Sequence, residues 1–297
     1  MIQLIHSTDI NKEKWDALVY NANNPSLFGY SWYLDAAFPG WSAFVYDDYK
    51  AGIIFPLRKK MRIAYAYNPL FVRECGIFSS SPLPDPLRIE FARILSSAAR
   101  LIHLYTFDPI QGFTCNDRSC QWLAMSKNQQ QITNGYNENT KRNIKKSVHS
   151  GHSVLFNHDY QTVLAMFEQN KLHEIDNLKR KDMQTLSNIM QATLSRASGF
   201  AAHVYNNDVC IASGFFIRHA RILLYLKGAA SPEGKKTGAM HRLIHETLMA
   251  EHGTVNYVDF GGSNLPSVAR FYKGFGASDF HYSACRHTIR LTKFRKT

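Results

Sequence analysis

Long apolar runs are missing from this sequence. No stretch approaches the roughly 18 consecutive apolar residues that a membrane-spanning helix requires. The first residues, Met1 to His6, lack the basic region followed by an apolar stretch that marks a signal peptide. Low-complexity tracts are missing too, and 45% of the residues are hydrophobic, a composition that argues against disorder. The sequence therefore predicts a folded protein located in the cytoplasm.

Cysteine is scarce, and its spacing suggests no pairing. The five cysteines form an odd, scattered set: Cys75, Cys115, Cys120, Cys210 and Cys285. Neither Cys115 nor Cys120 has the neighbouring Cys or His pairs of a zinc site. We therefore expect reduced, buried thiols, in agreement with a cytoplasmic location.

Three common site motifs are also missing. Gly228 and Gly234 lie one residue too far apart for the P-loop of a nucleotide-binding protein. Residues 261–264 do not form the G-x-S-x-G turn of a serine hydrolase. His241 and His245 are four apart on a predicted helix, but the H-E-x-x-H pattern and a third ligand are lacking, so we expect no metal.

Positive charge is present in excess and is unevenly distributed. The chain carries a net charge of +12. Residues 1–135 contain 13 Lys and Arg against 11 Asp and Glu, whereas residues 136–297 contain 22 against 12, a net charge of +10. The C-terminal half is therefore expected to meet an anionic partner, such as a phosphate-bearing cofactor, a nucleic acid or a lipid headgroup.

The length of 297 residues favours two domains, because single cores typically serve about 150 residues. A polar run at 126–139, rich in Gln and Asn, is the best boundary. We therefore predict one domain over residues 1–135 and a second over residues 136–297.

Hydrophobic periodicity predicts a similar order of elements in both halves, which suggests a duplicated domain of mixed α+β class. The first half is expected to contain a helix at 11–22, a hairpin at 42–46 and 51–57, a helix at 87–100, and strands at 101–107 and 121–125. The second is expected to contain helices at 139–147, 159–175 and 182–197, a hairpin at 200–205 and 209–217, a strand at 221–227, a loop at 228–234, a helix at 235–251, a strand from Val255 and a last strand at 284–292.

The segment from Val258 to Ala277 is typical of a ligand site in an α/β protein. It reads as a strand, a turn at Gly261 and Gly262, and a helix that has Pro266 in its first turn and is capped by Ser263 or Asn264. Such a helix start leaves free N–H groups at the end of a strand, where an anion can bind.

Four motifs resemble those of the FemAB-like branch of the acyl-CoA N-acyltransferase (GNAT) superfamily, in which two such domains lie in tandem. The run from Thr140 to Lys146 resembles the family's basic T-R-R-x-I-K-K helix, and Tyr225 to Ala229 resembles a strand that ends in glycine and a small residue. Asp259 to Gly262 matches the D-F-x-G turn, and Phe271 to Gly276 matches the F-K-x-x-F-G element, with Tyr272 at the position of its lysine.

The resemblance also implies functional residues. Tyr272 is similar to the tyrosine that protonates a departing thiolate in the superfamily's Y-x-x-x-G-F motif. Backbone N–H groups near Gly228 and Ala229 would stabilise the developing oxyanion. The pyrophosphate loop of an acyl-CoA site would fall on the run from Lys235 to Met240, with Lys235, Lys236 and Gly238 holding phosphate at a helix start. Met240 replaces the small residue that ends the family's loop.

Each of these residues also has a plainer interpretation. Tyr272 could be an aromatic packing residue beside Phe271 and Phe275. Asp259 could accept a proton from an attacking amine, or it could cap the turn that follows it. The phosphate loop could be a solvated helix terminus.

The predicted basic helix presents four cations at spacings of one, three and four, which place them on one helical face: Lys141, Arg142, Lys145 and Lys146. This face could hold tRNA or another polyanion, or it could be solvated and without a ligand.

The sequence therefore favours a tandem GNAT-type N-acyltransferase that transfers an acyl or aminoacyl group to the amine of a small molecule or peptide. Acyl-CoA is the preferred donor. Aminoacyl-tRNA comes second, because Tyr272 replaces the F-K lysine. The rival hypothesis is a non-catalytic protein of the same fold that binds an anionic polymer or lipid headgroup through its basic C-terminal half.

Overall fold

The chain folds into two units, each with its own β-sheet structure. The computed structural model describes residues 1–174, 178–262 and 265–289. The first unit comprises Met1–Arg118 together with the segment that begins at His281, and the second comprises Ser119–Phe280. The division falls inside two long strands, β8 (Thr114–Ala124) and β14 (Ser278–Thr288), each of which has residues in both units.

The first unit alternates short strands with three helices. Its strands are β1 (Ile2–His6), β2 (Ser42–Tyr46), β3 (Ala51–Ile54), β4 (Leu57–Lys60), β5 (Ile63–Tyr67), β6 (Ile77–Ser79) and β7 (Leu101–Thr106). Its helices are α1 (Lys12–Tyr20), α2 (Ser31–Ala37) and α3 (Asp85–Ala98). One sheet has the strand order β1-β2-β3-β6, and the order β4-β5-β7-β14 belongs to another.

The first helix shows how the sequence builds this unit. The Asn11 side chain accepts a hydrogen bond from the Lys14 N–H and so caps α1. Trp15, Leu18 and Val19 then recur at helical spacing and are all buried. The helix expected at 11–22 and the hairpin expected at 42–46 and 51–57 are both confirmed.

Strands β5 and β7 of the first unit run parallel only over a short distance. The pairing joins Tyr65 to Leu101 and ends where Tyr67 pairs with His103. Strand β6 then pairs with β3 instead, and α3 follows β6 along the chain. The ends of β6 and β7 therefore flank a gap in the ladder.

The second unit has one sheet, in the order β8-β13-β12-β11-β10-β9, and helices on both of its faces. The strands are β9 (Ser153–Asn157), β10 (Gly199–Asn206), β11 (Val209–His219), β12 (Ile222–Ala230) and β13 (Tyr257–Gly262). The helices are α4 (Gln129–Asn134), α5 (Glu138–His149), α6 (Tyr160–Asn170), α7 (Met183–Leu194), α8 (Pro232–Thr237), α9 (Ala239–Glu251) and α10 (Pro266–Lys273). The mixed α+β class is confirmed.

The division between the units differs from the boundary predicted at residues 135 and 136. That position lies inside the second unit, between α4 and α5. The polar run at 126–139 is a surface connection that includes the short helix α4. The two units instead divide within β8, between Arg118 and Ser119, where an ordinary strand sequence gives no indication of a boundary. The return of the chain to the first unit at His281 was not anticipated either.

One predicted helix is wrong in its bounds. The pattern at 235–251 predicts a single helix, but Gly238 has φ +78° and separates α8 from α9. Glycine adopts this left-handed conformation readily, so the break has a local cause. The expected loop at 228–234 is also shorter, because β12 extends to Ala230 and α8 begins at Pro232.

The prediction of five reduced cysteines is wrong for two of them. Cys115 and Cys285 form a disulfide, whereas Cys75, Cys120 and Cys210 are free thiols. The two partners lie 170 residues apart in the sequence, so spacing gave no indication of the pair. Disulfides persist mainly in oxidising compartments, so the cysteines no longer support a cytoplasmic location. That location stays a prediction.

Within the described ranges, no helix combines the length and the apolarity that a bilayer crossing would require. The cap predicted at Ser263 or Asn264 and the end of the strand predicted at 284–292 lie outside the described residues. Pro266 does stand in the first turn of α10, as expected.

Candidate functional site

The two central parallel strands of the second unit separate partway along their length. Strands β12 and β13 pair from Ile222 with Tyr257 to Leu224 with Asp259, and no further. Beyond that point β12 continues beside β11, and β13 continues beside β8. The carboxyl ends of diverging parallel strands leave a crevice, which is where open α/β sheets bind ligands.

A β-bulge lies in β12 just after the separation. Phe216 pairs with Tyr225 and Phe215 with Lys227, so Leu226 has no partner in the register with β11. A bulge of this kind redirects the strand and is common beside active sites. It therefore marks this part of β12 as the wall of a site.

The backbone beyond the bulge offers amide groups to the crevice. The Ser231 N–H donates to the Ile211 carbonyl oxygen across 2.9 Å. Because backbone groups of an antiparallel ladder alternate in direction, Ala229 then faces β11, and Gly228 and Ala230 face the crevice. Gly228 retains its predicted place at the site, whereas the Ala229 amide points the other way.

Only glycine fits at position 228. A Cβ atom there would overlap the Tyr225 hydroxyl and would lie 2.5 Å from the Ser213 carbonyl oxygen. The Tyr225 hydroxyl also donates to the Met240 sulfur at 3.8 Å, so this side chain extends from β12 to the first turn of α9. The crevice wall and the start of α9 are thus directly connected.

Tyr272 lies among aromatic rings at this site. Its ring stacks on Phe260, with centroids 4.6 Å apart and planes 9° apart, and meets the Tyr225 ring edge-on at 6.2 Å. Burial, followed by the negative charge of Asp259, raises the pKa of Tyr272 well above its ordinary value. The phenol therefore stays protonated at physiological pH. The packing interpretation applies to the ring, and the proton-donor role of the hydroxyl stays a prediction.

Asp259 is the last residue of β13 that pairs with β12, and it is buried. One of its carboxylate oxygens accepts a hydrogen bond from the Gly261 N–H at 2.8 Å, where Gly261 has φ +75°. The aspartate therefore caps the turn after the strand, as the plainer interpretation holds. Its charge also acts on Tyr272, so a catalytic role stays a prediction.

Lys235 and Lys236 occupy a different position from the one expected. They lie exposed in the last turn of α8, not at a helix start. The start of α8 is capped by the Ser231 hydroxyl, which accepts from the Gly234 N–H at 3.1 Å. Helix α9 begins directly after Gly238 and has no side-chain cap, so its first N–H groups receive no side-chain acceptor.

Helix α5 carries the predicted basic face. Thr140, Ile144 and Ser147 form its buried stripe, and the exposed side carries Arg142, Lys145 and Lys146. Lys141 is half-buried and forms an ion pair with Glu138 at 3.0 Å.

The helix packs against both α8 and α9, and the backbone of Asn143 closely approaches Gly238. The helices that carry the two predicted anion-binding sets, α5 and α8, are therefore neighbours and both adjoin α9.

The burial of two further residues, Lys227 and His241, was not predicted from the sequence. Lys227 follows the bulge in β12, on the sheet face that Phe215 also occupies, and burial lowers its pKa. His241 lies in the first turn of α9, with its ring 4.8 Å from Phe271, and burial lowers its pKa to about 4. The sequence places Lys227 in the run from Tyr225 to Ala229 and His241 directly after the run from Lys235 to Met240. Their burial depends on packing against distant elements, which no local pattern shows.

Among the residues that the structure describes, no group of three or more His, Cys, Asp or Glu side chains is placed to hold a metal ion.

These features define the class of fold. A mixed sheet with a parallel pair that diverges, a bulge in the first strand of that pair and a helix start at its end form the GNAT-type fold, in a FemAB-like tandem arrangement.

The solved structure of FemX has a TM-score of 0.66 with this chain at 14% identity, over 95% of this chain and 96% of FemX. The C-terminal domain of a putative lysylphosphatidylglycerol synthetase from Agrobacterium fabrum has a TM-score of 0.60 at 10% identity, over 93% and 92%. A tandem GNAT protein from the clavulanic acid biosynthesis pathway has a TM-score of 0.57 at 9% identity, over 96% and 98%.

No family model matches the sequence, and no curated protein matches it. At the identities above, structural similarity establishes the fold and leaves the activity to be argued from the site.

Proposed function

We propose that this protein is an N-acyltransferase that moves an acyl group from acyl-CoA to an amine. The observation that carries the proposal is the crevice between β12 and β13, which opens beside the uncapped start of α9. A thioester could lie in the crevice while its phosphates meet the helix start. An amine attacking from the open side would complete a direct transfer without a covalent enzyme intermediate.

Backbone amides are the groups for the developing negative charge. When the amine attacks, the thioester carbonyl oxygen becomes an oxyanion, and fixed N–H donors lower the energy of that state. The N–H groups of Gly228 and Ala230 face the crevice, and Gly228 leaves room for the substrate backbone to approach. These two amides replace the Gly228 and Ala229 pair inferred from the sequence.

Tyr272 is the proton donor in this proposal. The departing thiolate of CoA would take a proton from the phenol of Tyr272, and the phenolate would take the proton that the attacking nitrogen loses as the amide forms. Burial and Asp259 raise the pKa of Tyr272 and so favour the return of this proton to the phenol. Asp259 keeps the turn at Gly261 closed and so positions α10, on which Tyr272 lies.

The phosphate groups of the donor would bind where the positive charge collects. The α9 start has N–H groups without a side-chain cap, and Lys235 and Lys236 lie in the last turn of the helix that precedes it. Arg142, Lys145 and Lys146 lie on the neighbouring helix. Lysines beside a helix start suit the diphosphate of CoA, and acyl-CoA ranks before aminoacyl-tRNA because Tyr272 replaces the lysine of the F-K element.

Calorimetric titration with acetyl-CoA tests this proposal. The wild-type protein should bind, and Lys235→Glu combined with Lys236→Glu should weaken binding by about tenfold or more, because two attractive charges become repulsive. The matched control is Lys59→Glu with Lys60→Glu, which reverses two exposed lysines of β4 in the first unit. Equal loss in both double variants, or no binding by the wild type, would contradict the proposal.

A second function rests on α5 alone. Its exposed cations extend beyond the α9 start and could hold a polyanion such as tRNA, either as a donor or as the ligand of a non-catalytic protein. Titration with tRNA over a salt series separates these cases, because the binding of a polyanion weakens steeply with salt. Binding that Lys145→Glu and Lys146→Glu abolish, without any transfer of an acyl group, would favour the non-catalytic function.

A further inference from the structure

The first unit contains a cavity of about 420 Å³ that the proposed transfer site does not use. It lies at the gap between β6 and β7, and its floor includes the apolar side chains of Ile77, Leu95 and Ile110. The rim is polar and exposed, with Asp85 and Arg88 on α3 and Asp108 after β7. Nine of the 18 lining residues are polar or charged, so the cavity offers a small molecule hydrogen-bonding groups as well as apolar surface.

The cavity stands in the same topological place as the crevice of the second unit. In both units a parallel pair ends early, at Tyr67 and His103 in one and at Leu224 and Asp259 in the other. Along the chain, α3 follows β6 in the first unit, and α8 follows β12 in the second. The fold therefore forms a second crevice in the first unit, and the side chains decide what it can hold.

The helix start at this second crevice is unsuited to an anion. Helix α3 begins at Asp85, between Pro84 and Pro86, neither of which has an N–H. The next two N–H groups, of Leu87 and Arg88, donate to the Pro84 carbonyl oxygen at 3.0 and 3.1 Å. Only the Asp85 N–H remains, and the Asp85 carboxylate itself supplies negative charge at this end of the helix.

The charged groups of the rim favour a cation. Asp85 and Asp108 contribute two carboxylates against the single guanidinium of Arg88, in a protein whose net charge is +12. Within the described part of the chain, neither carboxylate forms an ion pair or accepts a hydrogen bond from a side chain, and the Arg88 Nε donates to the Leu83 carbonyl oxygen. The rim thus presents uncompensated negative charge above an apolar floor.

We propose that this cavity binds a primary amine with an apolar body, placing the ammonium group between the Asp85 and Asp108 carboxylates and the hydrocarbon on Ile77, Leu95 and Ile110. The site is separate from the proposed transfer crevice. It requires only equilibrium binding, so it stands whether or not the protein transfers acyl groups.

Calorimetric titration of the full-length protein with three probes of equal length tests this inference. n-Hexylamine, n-hexanol and hexanoate share the apolar body and differ in the charge of the head group. We expect n-hexylamine to bind about tenfold more tightly than n-hexanol at low salt, and hexanoate to bind more weakly than either, because the two carboxylates attract a cation and repel an anion.

The double variant Asp85→Asn with Asp108→Asn keeps the shape of the rim and removes both charges. It should bring the affinity for n-hexylamine down to that for n-hexanol. The control, Glu90→Gln, removes a carboxylate of α3 that is paired with Arg93 and does not line the cavity, and it should leave the affinities unchanged. Thermal unfolding of each variant verifies that it is folded.

Equal affinities of the wild type for the amine and the alcohol, tighter binding of hexanoate, unchanged amine binding by the double variant, or no binding at millimolar concentration would each overturn the inference. None of these results depends on an acetyl-CoA assay, so a failed acyl-transfer assay and a failed amine titration remain separate findings.

Discussion

At the scale of single residues, Tyr272 packs among aromatic rings and is the proton donor that we propose. Its ring is only 8% exposed and stacks on Phe260, while its hydroxyl keeps its proton because burial raises the pKa. From the sequence, packing and proton donation are alternative roles for Tyr272. The structure shows that a stacked ring holds the hydroxyl in a fixed place, which is what a proton donor requires.

Tyr272→Phe separates the two roles. The ring and its stacking remain, so the free energy of unfolding should change by no more than about 1 kcal/mol. Removal of the proton donor should lower kcat for acetyl transfer about 100-fold, with little change in the KM for acetyl-CoA. Steady-state kinetics on an accepted amine, with denaturant unfolding as the stability control, measure both. An unchanged kcat would assign Tyr272 to packing alone.

His241 makes stability depend on pH. Burial lowers its pKa to about 4, below the ordinary 6.5 of histidine, so the folded protein favours the neutral ring. The unfolded chain then binds the extra proton. The stabilisation is complete above pH 6.5 and is lost as the pH falls from 6.5 towards 4. After allowance for the partial exposure of the ring, we expect a loss of about 2 kcal/mol.

Urea unfolding at several pH values between 7 and 4 checks this expectation. The variant His241→Gln does not titrate in this range, so its stability should fall less steeply with acid than that of the wild type. Parallel curves for the two proteins would show that His241 is not the group responsible.

At the scale of elements, the break between α8 and α9 positions the helix start at which we propose that the phosphates bind. Gly238 has a left-handed backbone, and its Cα lies against the backbone of Asn143 on α5. A single helix over 235–251 would have carried Lys235 and Lys236 at its start. The break instead gives α9 its own uncapped start beside the basic face of α5.

Gly238→Ala should therefore destabilise the protein for two reasons. A left-handed alanine costs roughly 1–2 kcal/mol, and the new methyl group would collide with the Asn143 carbonyl group, so we expect about 2–4 kcal/mol in total. Gly253→Ala is the matched control, because Gly253 has φ +76° but open space around its Cβ position. Equal losses in denaturant unfolding of the two variants would show that the approach of α5 to Gly238 is not close.

The sequence predicts these elements unequally. The helix at 11–22 and the basic face of α5 are local patterns, so the sequence predicts them directly. The crevice depends on where Leu224 and Asp259 cease to pair, and the break at Gly238 depends on a contact with α5. Lys227 and His241 escaped for the same reason, because their burial comes from elements distant in the sequence.

At the scale of the whole molecule, the disulfide between Cys115 and Cys285 closes a loop that includes the whole second unit. Both cysteines belong to the first unit, so the bond fixes the returning C-terminal strand within that unit. A loop this long restricts the unfolded chain strongly. No pattern of spacing could reveal a pair 170 residues apart.

Two measurements check the disulfide. Alkylation of the denatured, unreduced protein should modify three of its five cysteines, namely Cys75, Cys120 and Cys210. Cys115→Ser combined with Cys285→Ser should lower the free energy of unfolding by about 4 kcal/mol, whereas Cys210→Ser should have a small effect. Five modified cysteines before reduction would contradict the pairing.

The central claim is that acyl-CoA binds where β12 and β13 diverge, beside the start of α9. Hydrogen–deuterium exchange of the intact protein with and without acetyl-CoA tests it most directly, because each peptide reports on its own segment. The account predicts that ligand slows exchange in peptides covering residues 225–231 and 238–242. Protection confined to other segments, or no protection at saturating acetyl-CoA, would contradict it.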